Sequence, residues 1–325
     1  MAPMDQRLSL ILLILCTGAG ASAGQDLPVD TAALGIKELA YEVPRDSSIT
    51  TSAGPGMTWS RGMEDDSDIF VIDSQSSKPR KLVGGGARPA WSPDGSKLAY
   101  CTWKGTSYGQ IEVVNADGTG KQQITNMKGG ACYPDWSPDG SKIVFTALKL
   151  DDSEKKLYGT NNSEIFVVDK NGGDPVPVAP GYAARWSPGG TMLIIQRAPE
   201  KKGPSTSSVW LATADGKQSR ALVAVNSAIL GASWFPNARS IAVSTFRDLK
   251  YRIFRVYLDA SQPQAAQPQV IVGDDQANWT EPSVSPDAKQ LIAVKDYAVM
   301  LLDLDTNKSQ TLARGSQYSV VWERK

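Results

Sequence analysis

The sequence predicts an all-β chain of six four-stranded antiparallel sheets closed into a ring, a β-propeller, on three observations. Trp91-Ser92-Pro93-Asp94-Gly95 recurs intact as Trp136-Ser137-Pro138-Asp139-Gly140. Eroded copies follow at Trp186-Ser187-Pro188-Gly189-Gly190, Trp234-Phe235-Pro236-Asn237-Ala238 and Val284-Ser285-Pro286-Asp287-Ala288, spaced 45 to 50 residues apart. Each copy is followed by short apolar runs bounded by turn residues. Finally, Tyr318-Ser319-Val320-Val321-Trp322 matches the segment that opens a unit, whereas the N-terminal unit lacks one. A period of this size with strand-length runs is the mark of propeller blades.

The first strand of each unit carries the aromatic residue. The second is the run after the motif, as in Lys97-Leu98-Ala99-Tyr100 or Lys142-Ile143-Val144-Phe145. Ile111 to Val114 and Glu164 to Val168 exemplify the third strand, and Gln122 to Thr125 and Arg220 to Val223 the fourth. In Ser-Pro-Asp-Gly, proline presets φ at the first turn position and glycine accepts a positive φ, so the chain reverses tightly. Asn115-Ala116-Asp117-Gly118 and Ala214-Asp215-Gly216 read as the turn between third and fourth strands.

Residues 1–23 read as a secretory signal. Arg7 precedes the apolar run Leu8 to Cys16, and Ala21-Ser22-Ala23 is a small-residue cleavage site. Leu15 ahead of Cys16 argues against a lipoprotein signal. The mature chain is therefore expected to be periplasmic or secreted, without a membrane span. Residues 24–48 read as an arm or linker, and the propeller is expected over 49–325. Its N-terminal unit aligns Trp59 with Trp103, leaving a place that the C-terminal strand would fill to close the ring.

Export gives Cys101 and Cys132 a compartment that permits disulfides. Cys101 ends a second strand and Cys132 stands just before the next first strand, so both fall on one face of the disc. Either a disulfide or two buried thiols is compatible with that placement.

Hydrophobic residues make up 41% and charged ones 21%, an ordinary globular balance that provides for a sizeable core. Net charge is +0, which argues against a nucleic-acid or anionic-membrane partner recognised by bulk charge. There is no histidine, so Ser-His-Asp and Cys-His nucleophilic chemistry and His-ligated metal sites are excluded. Gly105-Thr106-Ser107-Tyr108-Gly109 has the spacing of a nucleophile elbow but lies between two strands and has no base to serve it. Asp303-Leu304-Asp305-Thr306-Asn307 lacks the glycine and glutamate of a calcium loop and reads as a turn. No cofactor or metal is expected.

The signature W-S-P-D-G-x-K-[IL]-A-[FY], followed by I-x-V-x-[DN]-x-D-G, resembles the TolB-like β-propeller repeat family from about Ile49 to Lys325. That resemblance implies a six-bladed propeller, a place in the Tol–Pal envelope complex and binding of a Pal-like, peptidoglycan-associated lipoprotein. TolB itself carries an α/β domain ahead of its propeller, for which the segment after Ala23 is too short.

With the Ser-Pro-Asp-Gly turns at the bottom, the variable connections gather at the top, the expected working face. They include 60–67, 149–163, 197–208 and 245–252. Arg88, Tyr133, Glu281 and Tyr318, read as lying just ahead of the first strands, and Asp135 and Arg185, two positions on, are expected nearest the central channel. Tyr and Arg are common at recognition surfaces, and the expected function is binding of a protein or peptide, without catalysis, by a chain expected to be a monomer; the bland reading is a solvated channel mouth. The alternative is a propeller enzyme acting on a polysaccharide or ester, with carboxylates such as Asp65, Asp66, Asp135 and Glu281 as acid and base. A propeller cut from a hydrolase-bearing peptidase is not expected, since no catalytic domain follows the last strand. The repeated tryptophans read as core.

Overall fold

A computed structural model describes residues 36–44, 67–73, 76–102, 109–148, 163–199, 206–247, 249–259, 268–272, 277–296, 298–315 and 318–322. They form six sheets of four antiparallel strands. In chain order, the first sheet holds β1 (Ile36–Pro44), β2 (Ser67–Asp73) and β3 (Ser76–Gly84). The second holds β4 (Gly86–Trp91), β5 (Lys97–Thr102), β6 (Ile111–Asn115) and β7 (Gln122–Gln123). The third is β8 (Ala131–Trp136), β9 (Lys142–Leu148), β10 (Ser163–Asp169) and β11 (Val176–Pro180). The fourth is β12 (Tyr182–Trp186), β13 (Met192–Arg197), β14 (Ser207–Thr213) and β15 (Ser219–Val225). The fifth comprises β16 (Ile229–Trp234), β17 (Ser240–Arg247), β18 (Lys250–Tyr257) and β19 (Gln269–Val272). The sixth comprises β20 (Trp279–Val284), β21 (Gln290–Lys295), β22 (Ala298–Asp303) and β23 (Ser309–Arg314). The last strand, β24 (Tyr318–Trp322), returns to the first sheet, whose order is β24-β1-β2-β3.

That return closes the ring. Tyr41 pairs with Tyr318, Ala40 with Ser319 and Leu39 with Val320. One boundary differs from the sequence reading. Ile36–Pro44, assigned there to an arm ahead of residue 49, is a full member of the propeller, because it is the only strand set between β24 and β2. Its buried Leu39-Ala40-Tyr41 occupies the place that Leu98-Ala99-Tyr100 holds in the next blade. Trp59, Trp103 and the signal segment lie outside the described residues.

The core is distributed over the seams between blades. Six apolar clusters occur among the described residues, and each draws on two neighbouring sheets. Trp136, Ile143 and Phe145 of one blade, for example, meet Ala87, Ile111 and Val113 of the previous one. Leu39, Tyr41 and Ile72 likewise meet Ile292, Val299 and Leu301 across the seam between the last and first blades. Burying side chains of this size stabilises by roughly 1.5–3 kcal/mol each, so the blades are held mainly by one another.

A recurrent bulge aims the outer strands at these seams. The register between third and fourth strands slips by one residue at Leu82, Val178, Leu222, Ile271 and Leu312. Each extra residue packs into a seam cluster.

The Ser-Pro-Asp-Gly turns form as expected. Gly95 N donates to Ser92 O at 2.8 Å, with Gly95 at φ 74. Ser92 Oγ donates to Asp94 Oδ1 at 2.6 Å and accepts from Lys97 N at 2.9 Å, locking the corner from inside. The eroded copies hold the same shape with alanine in the left-handed region, at Ala238 (φ 54) and Ala288 (φ 59).

Candidate functional site at the ring axis

The first strand of each blade is innermost, and five of the six are bulged at one place. Register shifts fall between Ala87 and Ala90, Cys132 and Asp135, Tyr182 and Arg185, Ile229 and Ala232, and Thr280 and Ser283. Inside each lies a residue of positive φ: Arg88 (54), Tyr133 (56), Ala183 (48), Gly231 (109) and Glu281 (51). Arg88, Tyr133 and Glu281 are thus not ahead of the first strands, as the sequence suggested, but within them. A left-handed residue inserts an extra position that turns the backbone inward without ending the strand. β24 lacks such a residue; the bulge in its pairing lies on β1, between Ile36 and Glu38.

These inner strands clasp one another around the whole axis. Trp136 Nε1 donates to Ala90 O at 3.0 Å, and Trp234 Nε1 to Arg185 O at 3.1 Å. Trp186 N donates to Asp135 Oδ2 and Trp91 N to Ser319 Oγ, both at 2.9 Å. A Cβ on Gly231 would lie 2.7 Å from Glu281 Cα, so only glycine fits where β16 meets β20. The Tyr318 hydroxyl bridges β24 to β20, donating toward the carbonyls of Glu281 and Ile292, each at 2.6 Å.

The six sequence candidates fall on this framework and are engaged with each other. Arg88 Nη1, on the second blade, lies 3.5 Å from Glu281 Oε1 on the sixth, across the first blade's β24. The Arg88 guanidinium also stands over the Tyr133 ring, 4.4 Å from its centroid. Tyr133 in turn meets Tyr182 edge-on at 6.3 Å. Arg185 Nη1 lies 3.4 Å from Asp135 Oδ1. The charges do not simply face water: the side chains of Arg88, Glu281 and Asp135 are only 8%, 21% and 25% exposed.

Burial sets the electrostatics. It is the largest influence raising the Asp135 carboxyl above its ordinary range, against Arg185 and the Trp186 N–H, which favour the charged form. Burial also raises the Tyr182 hydroxyl, helped by Glu281 and Tyr251 and opposed by Arg88. Tyr318 is raised well above a normal tyrosine, first by burial and then by Glu281. At neutral pH the tyrosines therefore remain neutral donors. The axis carries two arginines set against two carboxylates.

Sequence reasoning missed Tyr182, Tyr251 and the small residues Ala183 and Gly231. A usable signal was present: counting three back from the residue that opens each copy of the motif (Trp91, Trp136, Trp186, Trp234, Val284) gives Arg88, Tyr133, Ala183, Gly231 and Glu281. Asp65, Asp66, the Gly105–Gly109 motif save its last residue, and most of the long upper connections lie outside the described residues. All of 245–252 except residue 248 is described, and those residues are strand apart from Leu249, not the loop expected. Asp303 to Asn307 is a turn, with Thr306 N donating to Asp303 Oδ1 at 2.7 Å. Beside the axis, Cys101 on β5 and Cys132 on β8 form a disulfide with Cα atoms 5.0 Å apart, joining two blades. Among the described residues no helix is long and apolar enough to cross a membrane, and no group of three or more Cys, Asp or Glu could hold a metal ion.

No protein-family model and no curated protein matches this chain. Solved structures do. TolB from Acinetobacter baumannii superimposes with a TM-score of 0.63 at 16% identity, over 90% of this chain and 69% of that one. Putative TolB from Agrobacterium tumefaciens gives 0.60 at 16% identity, over 87% of this chain and 93% of that one. Hydrazine synthase from Kuenenia stuttgartiensis gives 0.69 at 15% identity, over 88% of this chain and 47% of that one. The likeness is one of fold, and it includes TolB propellers.

Proposed function

We propose that this chain is an exported, non-catalytic β-propeller that binds a protein or peptide through the face bearing the long connections, in periplasmic or secreted surroundings. The observation that carries the reading is the mutual engagement of Arg88, Glu281, Tyr133, Asp135, Arg185 and Tyr318 at the axis. Each axial carboxylate is tied to an arginine and held on a bulged strand. A rigid, pre-organised surface of aromatic and guanidinium groups suits recognition, because little side-chain freedom remains to be lost on binding. The resemblance of the W-S-P-D-G repeat to the TolB-like family, together with the likeness of fold to TolB propellers, supports extending this reading to cell-envelope assembly with a Pal-like lipoprotein as partner.

Cross-linking in envelope extract tests the reading. Wild type is expected to capture a discrete partner that the double variant Tyr133→Ser, Arg185→Ser loses while keeping its circular dichroism. A partner retained by that variant would place binding elsewhere. For the enzyme alternative, a glycan and ester panel would have to show turnover abolished by Asp135→Asn or Glu281→Gln. N-terminal sequencing of the exported protein is expected to begin at Gly24.

A further inference from the structure

The hairpin of β17 and β18 differs from its counterparts in the other blades. Its strands pair without interruption from Ser240 and Tyr257 up to Arg247 and Lys250, leaving a two-residue connection. The corresponding segments of the first four blades span 45–66, 103–110, 149–162 and 198–206. The sixth has a tight turn too, but its strands are shorter. The fifth blade therefore presents a ribbon on the long-connection face. It is braced at its base: Tyr251 N donates to Asn278 Oδ1 at 3.1 Å, and the hydroxyls of Ser227 and Thr245 lie 2.7 Å apart.

The tip breaks two rules at once. Leu249 is 85% exposed, and its backbone stands at φ 69, a region that is strained for a residue bearing a Cβ. Phe246, 37% exposed, packs edge-on against Tyr251 at 5.2 Å. The two-residue connection itself calls for a positive φ, as Asp296 (φ 44) adopts at the sixth blade's turn; what it does not call for is a leucine, here the most exposed large hydrophobic among the described residues. The surrounding sequence, Phe246-Arg247-Asp248-Leu249-Lys250-Tyr251-Arg252, carries three cations and one acid in an otherwise neutral chain. Tyr251 also acts on the Tyr182 hydroxyl, so the ribbon adjoins the axial cluster.

We propose that this hairpin tip is an anchor for a protein partner's acidic, apolar segment, with Leu249 and Phe246 entering an apolar contact and the flanking cations meeting carboxylates. The proposal rests on the binding reading above and names the partner's chemistry. Charge complementarity selects that chemistry: an apolar tip flanked along the chain by Arg247 and Lys250 is matched by apolar side chains interspersed with Asp and Glu.

A library of random short peptides displayed on phage, selected on the full chain and counter-selected on Leu249→Gly, provides the test. Enriched sequences are expected to combine Asp or Glu with Leu, Phe or Trp. A synthetic representative should bind wild type at least roughly tenfold more tightly than Leu249→Gly or Lys250→Glu, and more weakly as salt rises. Glycine relieves the left-handed backbone, so Leu249→Gly should melt no lower than wild type, which separates lost docking from lost folding. Neutral or basic winners, no winners, or equal binding to Leu249→Gly would overturn the proposal. Co-sedimentation of wild type but not Leu249→Gly with phosphatidylglycerol vesicles, without peptide enrichment, would overturn it in favour of a membrane surface. Binding that survives Leu249→Gly but fails in Tyr133→Ser, Arg185→Ser would remove the hairpin alone, and binding that survives both would remove the axial reading as well.

Discussion

The Tyr318 hydroxyl lies 2.6 Å from the carbonyl oxygen of Glu281, joining the last strand of the chain to the inner strand of the sixth blade. The same hydroxyl reaches Ile292 O at 2.6 Å, so a single proton is shared between two buried acceptors. The seam between last and first blades thus depends on a polar latch as well as on the apolar cluster around Leu39 and Tyr41.

Tyr318→Phe leaves both carbonyls without that donor while preserving the ring. An unmet buried acceptor costs about 1–3 kcal/mol, so a loss of that order is expected in denaturant titration. An unchanged midpoint would show that the latch contributes nothing.

The Cys101–Cys132 bridge spans a sequence separation of 31 residues. Closing a loop of that size stabilises by about 3.7 kcal/mol, chiefly by restricting the unfolded chain. Cys101→Ser with Cys132→Ser, and reduction of the wild type, should therefore lower the melting temperature by similar amounts. Free-thiol titration of the unreduced protein should find neither sulfur reactive.

Ala238 and Ala288 adopt φ 54 and φ 59 where the intact copies of the motif use glycine. Ala288→Gly is expected to stabilise by about 0.5–1 kcal/mol, since relief of left-handed strain exceeds the added entropy of the unfolded chain. The reverse change, Gly95→Ala, should destabilise. Equal midpoints for both variants and wild type would contradict the turn assignment.

Two aspartates should give pH dependences of opposite sign. Asp94 is held down to about 2, first by the Ser92 hydroxyl and then by the Ser96 N–H. Its stabilisation is present above an ordinary carboxyl value near ~4 and is lost as pH falls toward ~2. Ser92→Ala should flatten that acid limb and move the Asp94 carboxyl resonance toward normal titration. Asp135 is raised by burial, so its contribution is full below the ordinary value and declines as pH rises through its raised one. The stability of wild type relative to Asp135→Asn should accordingly fall as pH rises above the ordinary carboxylate range of about 4. A difference that does not change with pH would contradict the assignment.

The repeat was legible because its turn chemistry is local: Pro93 and Gly95 specify a corner without help from distant residues. Ile36–Pro44 was not, because its Leu39-Ala40-Tyr41 lacks the Trp-Ser-Pro-Asp-Gly that introduces Leu98-Ala99-Tyr100; the strand that would precede it stands at the opposite end of the chain. Arg88, Tyr133 and Glu281 could be placed near the axis from the sequence. Their left-handed backbone could not, since no glycine marks it. The engagement of Arg88 with Glu281 escaped as well, because it reaches across a blade and depends on ring closure. The 245–252 stretch misled through its charges, which look like a loop until its pairing is seen.

The pairing of Tyr41 with Tyr318 also imposes an order of events during synthesis. Five sheets can assemble from contiguous stretches as the polypeptide emerges, but the remaining one stays a strand short until Tyr318–Trp322 is available. Its earliest segment must therefore wait for a partner far downstream, and pairing across so long a stretch of chain is the kind that forms late.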